Sequence, residues 1–236
     1  MNTRWDPMRI FIGFDARETA AYHVACHSIV SRATCPVSIT PLRREALSHI
    51  YWRRRGMTES TDFSLTRFLV PHLCGYQGRA LFLDCDIVCL ADIGELALEW
   101  DWSMNADKAV LVVKHDYVPK DATKFLGNAQ TRYPRKNWSS VMYFDCARCA
   151  ALTPEYVNSA SGLDLHRFNW LRDDEIGSLP HGWNHLVGEY PSNPKAQILH
   201  FTLGGPWFKE TRGCDHANLW FAECDAMLST AQAVRY

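Results

Sequence analysis

The chain lacks any strong excess of charge. Its 25 Lys and Arg stand against 26 Asp and Glu, a formal −1 at pH 7, which excludes nonspecific nucleic-acid binding driven by overall charge. No apolar run reaches the length of a membrane span. The first residues, Met1-Asn2-Thr3-Arg4-Trp5-Asp6-Pro7, lack the apolar core of a secretory signal, so a soluble, cytoplasmic protein is expected. Two phosphate-binding fingerprints are missing as well. No Gly-x-Gly-x-x-Gly follows the first predicted strand, which removes a dinucleotide-dependent dehydrogenase, and no Walker-type Gly-Lys-Ser/Thr loop occurs, which removes a P-loop enzyme. Internal repeats, low-complexity segments and dividing linkers are also absent. Cysteine, by contrast, is plentiful: nine are scattered along the chain. Cys146-x-x-Cys149 has no second pair at zinc-ribbon spacing, so the cysteines read as reduced, mostly buried thiols rather than zinc ligands.

What is present is a series of short apolar runs alternating with helical patterns. Arg9-Ile10-Phe11-Ile12-Gly13-Phe14-Asp15 reads as a buried strand, and residues 19–30 as a helix with a small-residue face of Ala20, Ala21, Val24, Ala25, Ser28 and Ile29. Further strands are expected at 36–40, at Ala80-Leu81-Phe82-Leu83-Asp84-Cys85-Asp86-Ile87-Val88, at 109–113, at 141–144 and at 196–201. Residues 63–73 read as a helix despite Pro71. Residues 214–236 read as one amphipathic helix packing through Leu219, Phe221, Ala222, Ala226 and Met227. Strands alternating with helices predict a single α/β domain, with a central mixed, mostly parallel sheet flanked by helices.

The residues with chemistry cluster at the ends of those strands. Asp84 and Asp86 are one residue apart, so an extended backbone would turn both carboxylates to one side. Their repulsion calls for a divalent cation, or else a solvated acidic loop. His200 ends a late strand before Gly204-Gly205, where an imidazole can ligate beside a backbone that approaches phosphate closely. Two carboxylates and one imidazole leave coordination sites for diphosphate oxygens, and the mixed oxygen and nitrogen set favours Mn²⁺, with Mg²⁺ as the alternative. Gly13-Phe14-Asp15-Ala16-Arg17 lies at the carboxyl end of the first strand, where open α/β sheets place ligands. There Asp15 either contacts a ribose or base or caps the following helix. Arg67 is a candidate partner for phosphate or for a carboxylate. Asp173-Asp174-Glu175 is either a solvated helix start or a carboxylate set near a reacting centre.

The order of these motifs resembles glycosyltransferase family 8, which includes glycogenin and lipopolysaccharide galactosyltransferases. The resemblance runs from about Arg9 to Trp207. It is carried by Ile12-Gly13-Phe14-Asp15, Ser64-Leu65-Thr66-Arg67-Phe68, Leu83-Asp84-Cys85-Asp86 with Asp92-Ile93, Asp173-Asp174-Glu175, Leu179-Pro180 with Trp183-Asn184, and His200-Phe201-Thr202 with Gly204-Gly205-Pro206-Trp207. It implies a GT-A (Rossmann-like) fold and a manganese ion on Asp84, Asp86 and His200. It also implies a nucleotide diphosphate sugar donor, usually UDP-linked, held by Gly13, Phe14, Asp15, Arg17, Arg67, Asp84, Cys85, Asp86, Gly204 and Gly205. The reaction it implies is hexose transfer with retention of configuration to a glycan, glycolipid or lipid-linked acceptor. Donor binding would fall to residues 8–115 and the acceptor side to 116–213, with 214–236 as a terminal helix.

Three departures mark a divergent branch. Asp174 stands where the family commonly has glutamine, which makes Asp174 and Asp173 the candidate catalytic carboxylates. Gly205 stands where a lysine usually precedes Pro-Trp. Asn137-Trp138-Ser139-Ser140 replaces the usual Asn-Ala-Gly. Lys114-His115-Asp116-Tyr117 is a further candidate for contact with donor sugar or acceptor. The basic clusters Arg43-Arg44, Arg53-Arg54-Arg55 and the insert through Lys124, Thr131-Arg132-Tyr133-Pro134-Arg135-Lys136 read as solvated loops. Peripheral contact with an anionic membrane face or a charged acceptor is the alternative. A sugar-nucleotide nucleotidyltransferase and a catalytically inactive nucleotide-sugar-binding module are the competing functions.

Overall fold

The computed structural model describes residues 6–56, 59–101, 105–116 and 134–229. Tyr117, Lys124, Thr131, Arg132, Tyr133 and the tail from 230 lie outside the described residues. The chain begins with β1 (Met8–Phe14), whose Ile10 and Ile12 are fully buried. Asp15 then caps a single 3-10 turn, Ala16–Glu18, that runs into α1 (Thr19–Val30). The helix buries Ala21, Val24, Ala25, Ser28 and Ile29, as the sequence pattern predicts, while Ala20 faces solvent.

Six strands form the main sheet: β1, β2 (Val37–Arg43), β3 (Arg79–Leu83), β5 (Val110–Val112), β6 (Val141–Asp145) and β7 (Ile176–Ser178), in the order β2-β1-β3-β6-β5-β7. Pairs β1–β2, β1–β3 and β5–β7 are parallel, and β6 runs antiparallel to both its neighbours. The expected mixed, mostly parallel sheet is therefore present. A second, three-stranded sheet orders β4 (Ile87–Cys89), β9 (Ile198–His200) and β8 (His185–Leu186) as β4-β9-β8.

The Asp-x-Asp stretch, expected as one strand, is two. Leu83 pairs with Val141 of β6, whereas Ile87 pairs with His200 of β9. The chain changes sheets between them, and Asp84, Cys85 and Asp86 make the crossing. Residues 63–73 are likewise not one helix. A 3-10 turn, Thr66–Leu69, leads into α2 (Val70–Leu73), and Pro71 sits in the first turn of α2, where its missing N–H costs no helical hydrogen bond.

Short helices α3 (Leu96–Asp101), α4 (Pro154–Ser159) and α5 (Gly162–His166) complete the middle of the chain. The terminal helix α6 (Ala217–Leu228) packs on α1 and β4. Its inward face differs from expectation: Trp220 and Glu223 are buried, with Phe221, Cys224 and Met227 beside them, while Leu219, Ala222 and Ala226 face solvent. The cause is Glu223, which reaches basic partners at the end of α1, His27 and Arg32. All nine cysteines are free thiols, four of them buried. Among the described residues no helix is long and apolar enough to cross a membrane.

Candidate active site

Asp84 and Asp86 occupy the crossing between the two sheets, and each is stitched to one of them. The Asp84 N–H donates to the Ser140 carbonyl at 2.9 Å, just before β6, and the Phe201 N–H donates to the Asp86 carbonyl at 2.8 Å, just after β9. His200 ends β9 opposite Ile87. Its Nε2 lies 3.9 Å from Asp84 Oδ2 and 3.2 Å from Asp86 Oδ1. One ligand atom from each of the three side chains falls within 4.8 Å of the others, the only such group among the described residues.

The tautomer of His200 is set from behind. Its Nδ1 lies 2.8 Å from Asn184 Oδ1, an acceptor only, so Nδ1 carries the proton. The amide of Asn184 is itself oriented, because Nδ2 faces three acceptors: Ser140 Oγ at 2.8 Å, His115 Nε2 at 3.0 Å and the Asn137 carbonyl at 3.3 Å. His115 completes the chain by holding Tyr190 Oη at 3.2 Å through Nδ1. Burial, reinforced by the neighbouring histidines 200, 181 and 185, pushes the His115 pKa down to about 3, so it stays neutral and accepts at Nε2. The Nε2 lone pair of His200 therefore points at two carboxylates, an arrangement that needs a proton or a cation between them.

These residues fit a divalent ion. Neighbouring ligands of one ion at bonds of about 2.1 Å sit roughly 3 Å apart, close to the 3.2 Å between His200 and Asp86. An imidazole whose far nitrogen donates to an amide oxygen is the usual supported metal ligand.

The trio opens into a cavity of about 320 Å³. Arg67 is buried beside it, its Nη1 2.7 Å from Asp84 Oδ1 and donating to the Ser139 carbonyl at 2.8 Å. Its guanidinium lies over the rings of Phe63 and Phe82. Arg67 is thus a buried partner of the Asp-x-Asp and not a surface arginine. Lys136 and His166 also line the cavity. His166 is held by Ser139 Oγ at 2.8 Å and stands edge-on to Phe68. Sequence reasoning missed His166 and placed Lys136 in an acceptor-side insert; its position directly before Asn137-Trp138-Ser139-Ser140 was the available signal.

Other expected site residues are engaged within the fold. The Asp15 carboxylate is buried and fully engaged: it caps Arg17 N–H at 3.0 Å, pairs with the Arg17 guanidinium and accepts from Asp62 N–H at 3.1 Å. These hydrogen bonds outweigh burial and hold its pKa below the usual carboxylate value. Gly13 makes room for Phe63, whose ring would lie 2.2 Å from a Cβ there, and Phe14 stands edge-on to Tyr22 at 5.3 Å. Gly204 takes the left-handed region at φ 104°, and a Cβ on Gly205 would meet Trp207 at 2.0 Å. Cys85 is fully buried, its Sγ 3.8 Å from Glu18 Oε2. Burial, and then the charges of Asp86, Asp15 and Asp84, push the Glu18 carboxyl well above its usual range.

Asp173 and Asp174 do not reach the cavity. Their side chains are 85% and 73% exposed, paired with Arg135 at 2.5 Å and with Arg172 at 3.2 Å. Lys114 turns away too, donating to the Ile176 carbonyl at 2.7 Å. In the described basic clusters, Arg44 donates to the Arg53 carbonyl, Arg53 to the carbonyls of Val157 and Ala160, Arg55 pairs with Asp62 at 2.7 Å, and Arg43 pairs with Glu45 at the surface.

No family model matches the chain. Over 229 residues it is 48% identical to Protein CDI of Arabidopsis thaliana, a match covering 93% of this chain and 86% of that protein. Among solved structures it is similar to the WbbM bifunctional glycosyltransferase, with a TM-score of 0.64 at 15% identity over 95% of this chain. The chain spans about half the length of that enzyme, 50%. It is also similar to the galactosyltransferase LgtC, solved in complex with donor and acceptor sugar analogs, with a TM-score of 0.59 at 11% identity over 95% of this chain and 98% of that one. The chain thus belongs to the family of Arabidopsis Protein CDI and has the GT-A fold of the glycosyltransferases.

Proposed function

We propose that this protein is a divalent-metal-dependent glycosyltransferase, moving a hexose from a nucleotide diphosphate sugar to a glycan, glycolipid or lipid-linked acceptor. The observation that carries the reading is the meeting of Asp84, Asp86 and His200 at one end of a cavity that Arg67 also lines. Asp84, Asp86 and the Nε2 of His200 would hold Mn²⁺. When bound, the ion neutralises charge building on the diphosphate as the glycosidic bond breaks. Arg67 holds Asp84 in place from a dry, aromatic-walled site, and Asn184 keeps the His200 lone pair aimed. Asp173 and Asp174 supply no nucleophile in this reading, which leaves retention with the departing diphosphate accepting the acceptor's proton on the same face. A UDP-linked donor follows the family resemblance.

A nucleotidyltransferase would need an open glycine-rich basic loop after β1, whereas Gly13 is packed under Phe63 and Arg17 is committed to Asp15. The test is donor hydrolysis and transfer across UDP-, GDP- and ADP-sugars with and without Mn²⁺, alongside thermal unfolding. Mn²⁺ at a hundred times its dissociation constant stabilises the fold by about 2.7 kcal/mol, a shift that Asp86→Asn should abolish. A wild-type-sized shift in Asp86→Asn would remove the metal assignment. Tight nucleotide binding without turnover of any donor would replace the enzyme with a binding module.

A further inference from the structure

We propose that Cys74 and Cys146 form an oxidation site, at which a hydroperoxide converts the two thiols into a reversible disulfide. Cys74 caps the C-terminus of α2, and Cys146 opens a 3-10 turn, Cys146–Cys149, directly after β6. That turn packs against α2. Two hydrogen bonds tie the segments together: the Cys146 N–H donates to the Gly78 carbonyl at 2.9 Å, and Tyr76 Oη donates to the Leu152 carbonyl at 3.3 Å. The two sulfurs meet in this contact, the Cys146 thiol donating to the Cys74 sulfur.

The pair divides the two roles that disulfide formation needs. Cys74 is only partly buried, whereas Cys146 is fully buried. The hydrogen bond from Cys146 lowers the Cys74 pKa against the opposing effect of burial, and the Arg9 charge adds to the lowering. Burial raises the pKa of seven of the other eight thiols. Cys146 rises mainly because it donates to Cys74. The thiolate is the nucleophile toward peroxides, so Cys74 is the sulfur that reacts first and Cys146 the one that follows. Cys149, the third thiol nearby, is engaged elsewhere, its Sγ donating to the Ala109 carbonyl at 3.3 Å.

In the first step the Cys74 sulfur attacks the terminal oxygen of the hydroperoxide. The O–O bond breaks, the alkoxide leaves with the thiol proton as an alcohol, and Cys74 becomes a sulfenic acid. In the second step the Cys146 sulfur attacks the Cys74 sulfur, the S–S bond forms, and the S–O bond breaks as hydroxide leaves with the Cys146 proton as water. Two thiols are oxidised to one disulfide, and one hydroperoxide is reduced to one alcohol and one water. The cross-link falls at the end of the sheet remote from the cavity. Arg79 pairs with Asp145 and Leu83 with Val141; Cys146 follows Asp145, whereas Asp84 follows Leu83. The length of the five-residue strand β3, about 16 Å, separates the two sites. Closing the long loop from residue 74 to 146 stabilises the fold by constraining the unfolded chain, and it leaves the Asp84, Asp86 and His200 group undisturbed.

The experiment treats the reduced full-length protein with stoichiometric tert-butyl hydroperoxide, blocks the remaining thiols with N-ethylmaleimide and maps the peptides without reduction by mass spectrometry. A peptide pair joined through Cys74 and Cys146 should be the main product, absent from Cys74→Ser and restored to thiols by dithiothreitol. In Cys146→Ala, where the second step is blocked, dimedone should trap a sulfenic acid on Cys74. The oxidised wild type should unfold about 5–15 °C higher than the reduced form, and the oxidised Cys74→Ser protein should show no such rise. Wild-type mapping and Cys74→Ser decide the matter even if Cys146→Ala does not fold. Both thiols recovered as maleimide adducts while other cysteines oxidise overturns the proposal, as does Cys74 joined to any other cysteine or carried on to sulfinic acid in the wild type.

Discussion

Asn184 Oδ1 and His200 Nδ1 lie 2.8 Å apart, and this hydrogen bond decides which nitrogen of the imidazole faces Asp84 and Asp86. The donor side of the same amide faces acceptors on Ser140, His115 and Asn137, so the amide cannot turn over without opposing acceptors to acceptors. Removing it in Asn184→Ala frees the ring to rotate and to change tautomer. Loss of such a supporting partner typically costs ten- to a hundredfold in metal affinity. A Mn²⁺ titration followed by electron paramagnetic resonance should show a weakening of about that size. Unaltered affinity would mean that His200 is not a ligand.

Asp174 carries the opposite expectation. It lies on the 3-10 turn Asp173–Glu175, mostly exposed and paired with Arg172. An exposed side chain outside the cavity contributes little beyond the ordinary surface range of about 0.5 kcal/mol. Asp174→Asn should therefore change transfer by about twofold at most. A loss of several orders of magnitude would show that this turn enters the reaction centre and would restore a carboxylate nucleophile.

Much of the architecture was legible in the chain because burial writes periodicity directly into residue choice. The run Ile10-Phe11-Ile12, the pattern of α1 and the apolar β6 all follow from which faces touch the core. Asp84, Asp86 and His200 were legible by chemistry: two like charges so close in sequence need a partner, and the strand pairing of Ile87 with His200 brings that partner in. The sheet change at Asp84–Asp86 was not legible, since local pattern does not report which strand a residue will pair with. The glycines show the same limit. Gly13 and Gly205 were read for close approach of a ligand, and the chain alone did not show that they also make room for Phe63 and Trp207, whose positions depend on distant packing. Asp15 was ambiguous between cap and ligand contact, and Arg17 with Asp62 N–H engages its carboxylate. Lys136 was hidden by its basic neighbours, which look like a solvated run, yet it is buried and lines the cavity.

The anchoring of α6 gives a pH signature far from the cavity. Glu223 is buried on that helix, its Oε1 2.5 Å from His27 Nδ1 and its Oε2 2.7 Å from Arg32 Nη2. Burial alone would raise its pKa, but the hydrogen bonds and charges of Arg32 and His27 together win and hold it below the usual value of 4.5. A carboxylate with a depressed folded pKa stabilises fully above its unfolded pKa, and that contribution is lost as pH falls through the folded value. At pH 7, Glu223→Gln should cost about 1.5–3 kcal/mol, the range for hydrogen bonds to a charged group. At roughly 2–4 °C of midpoint per kcal/mol for a chain of this size, the loss is readily measured by thermal unfolding. The gap between wild type and variant should stay constant down to pH 4.5 and then narrow steadily, because acid removes from the wild type the charge that the variant already lacks. Parallel stability curves through that acid range would mean that Glu223 docks α6 by shape and hydrogen bonding alone, with its ionisation irrelevant.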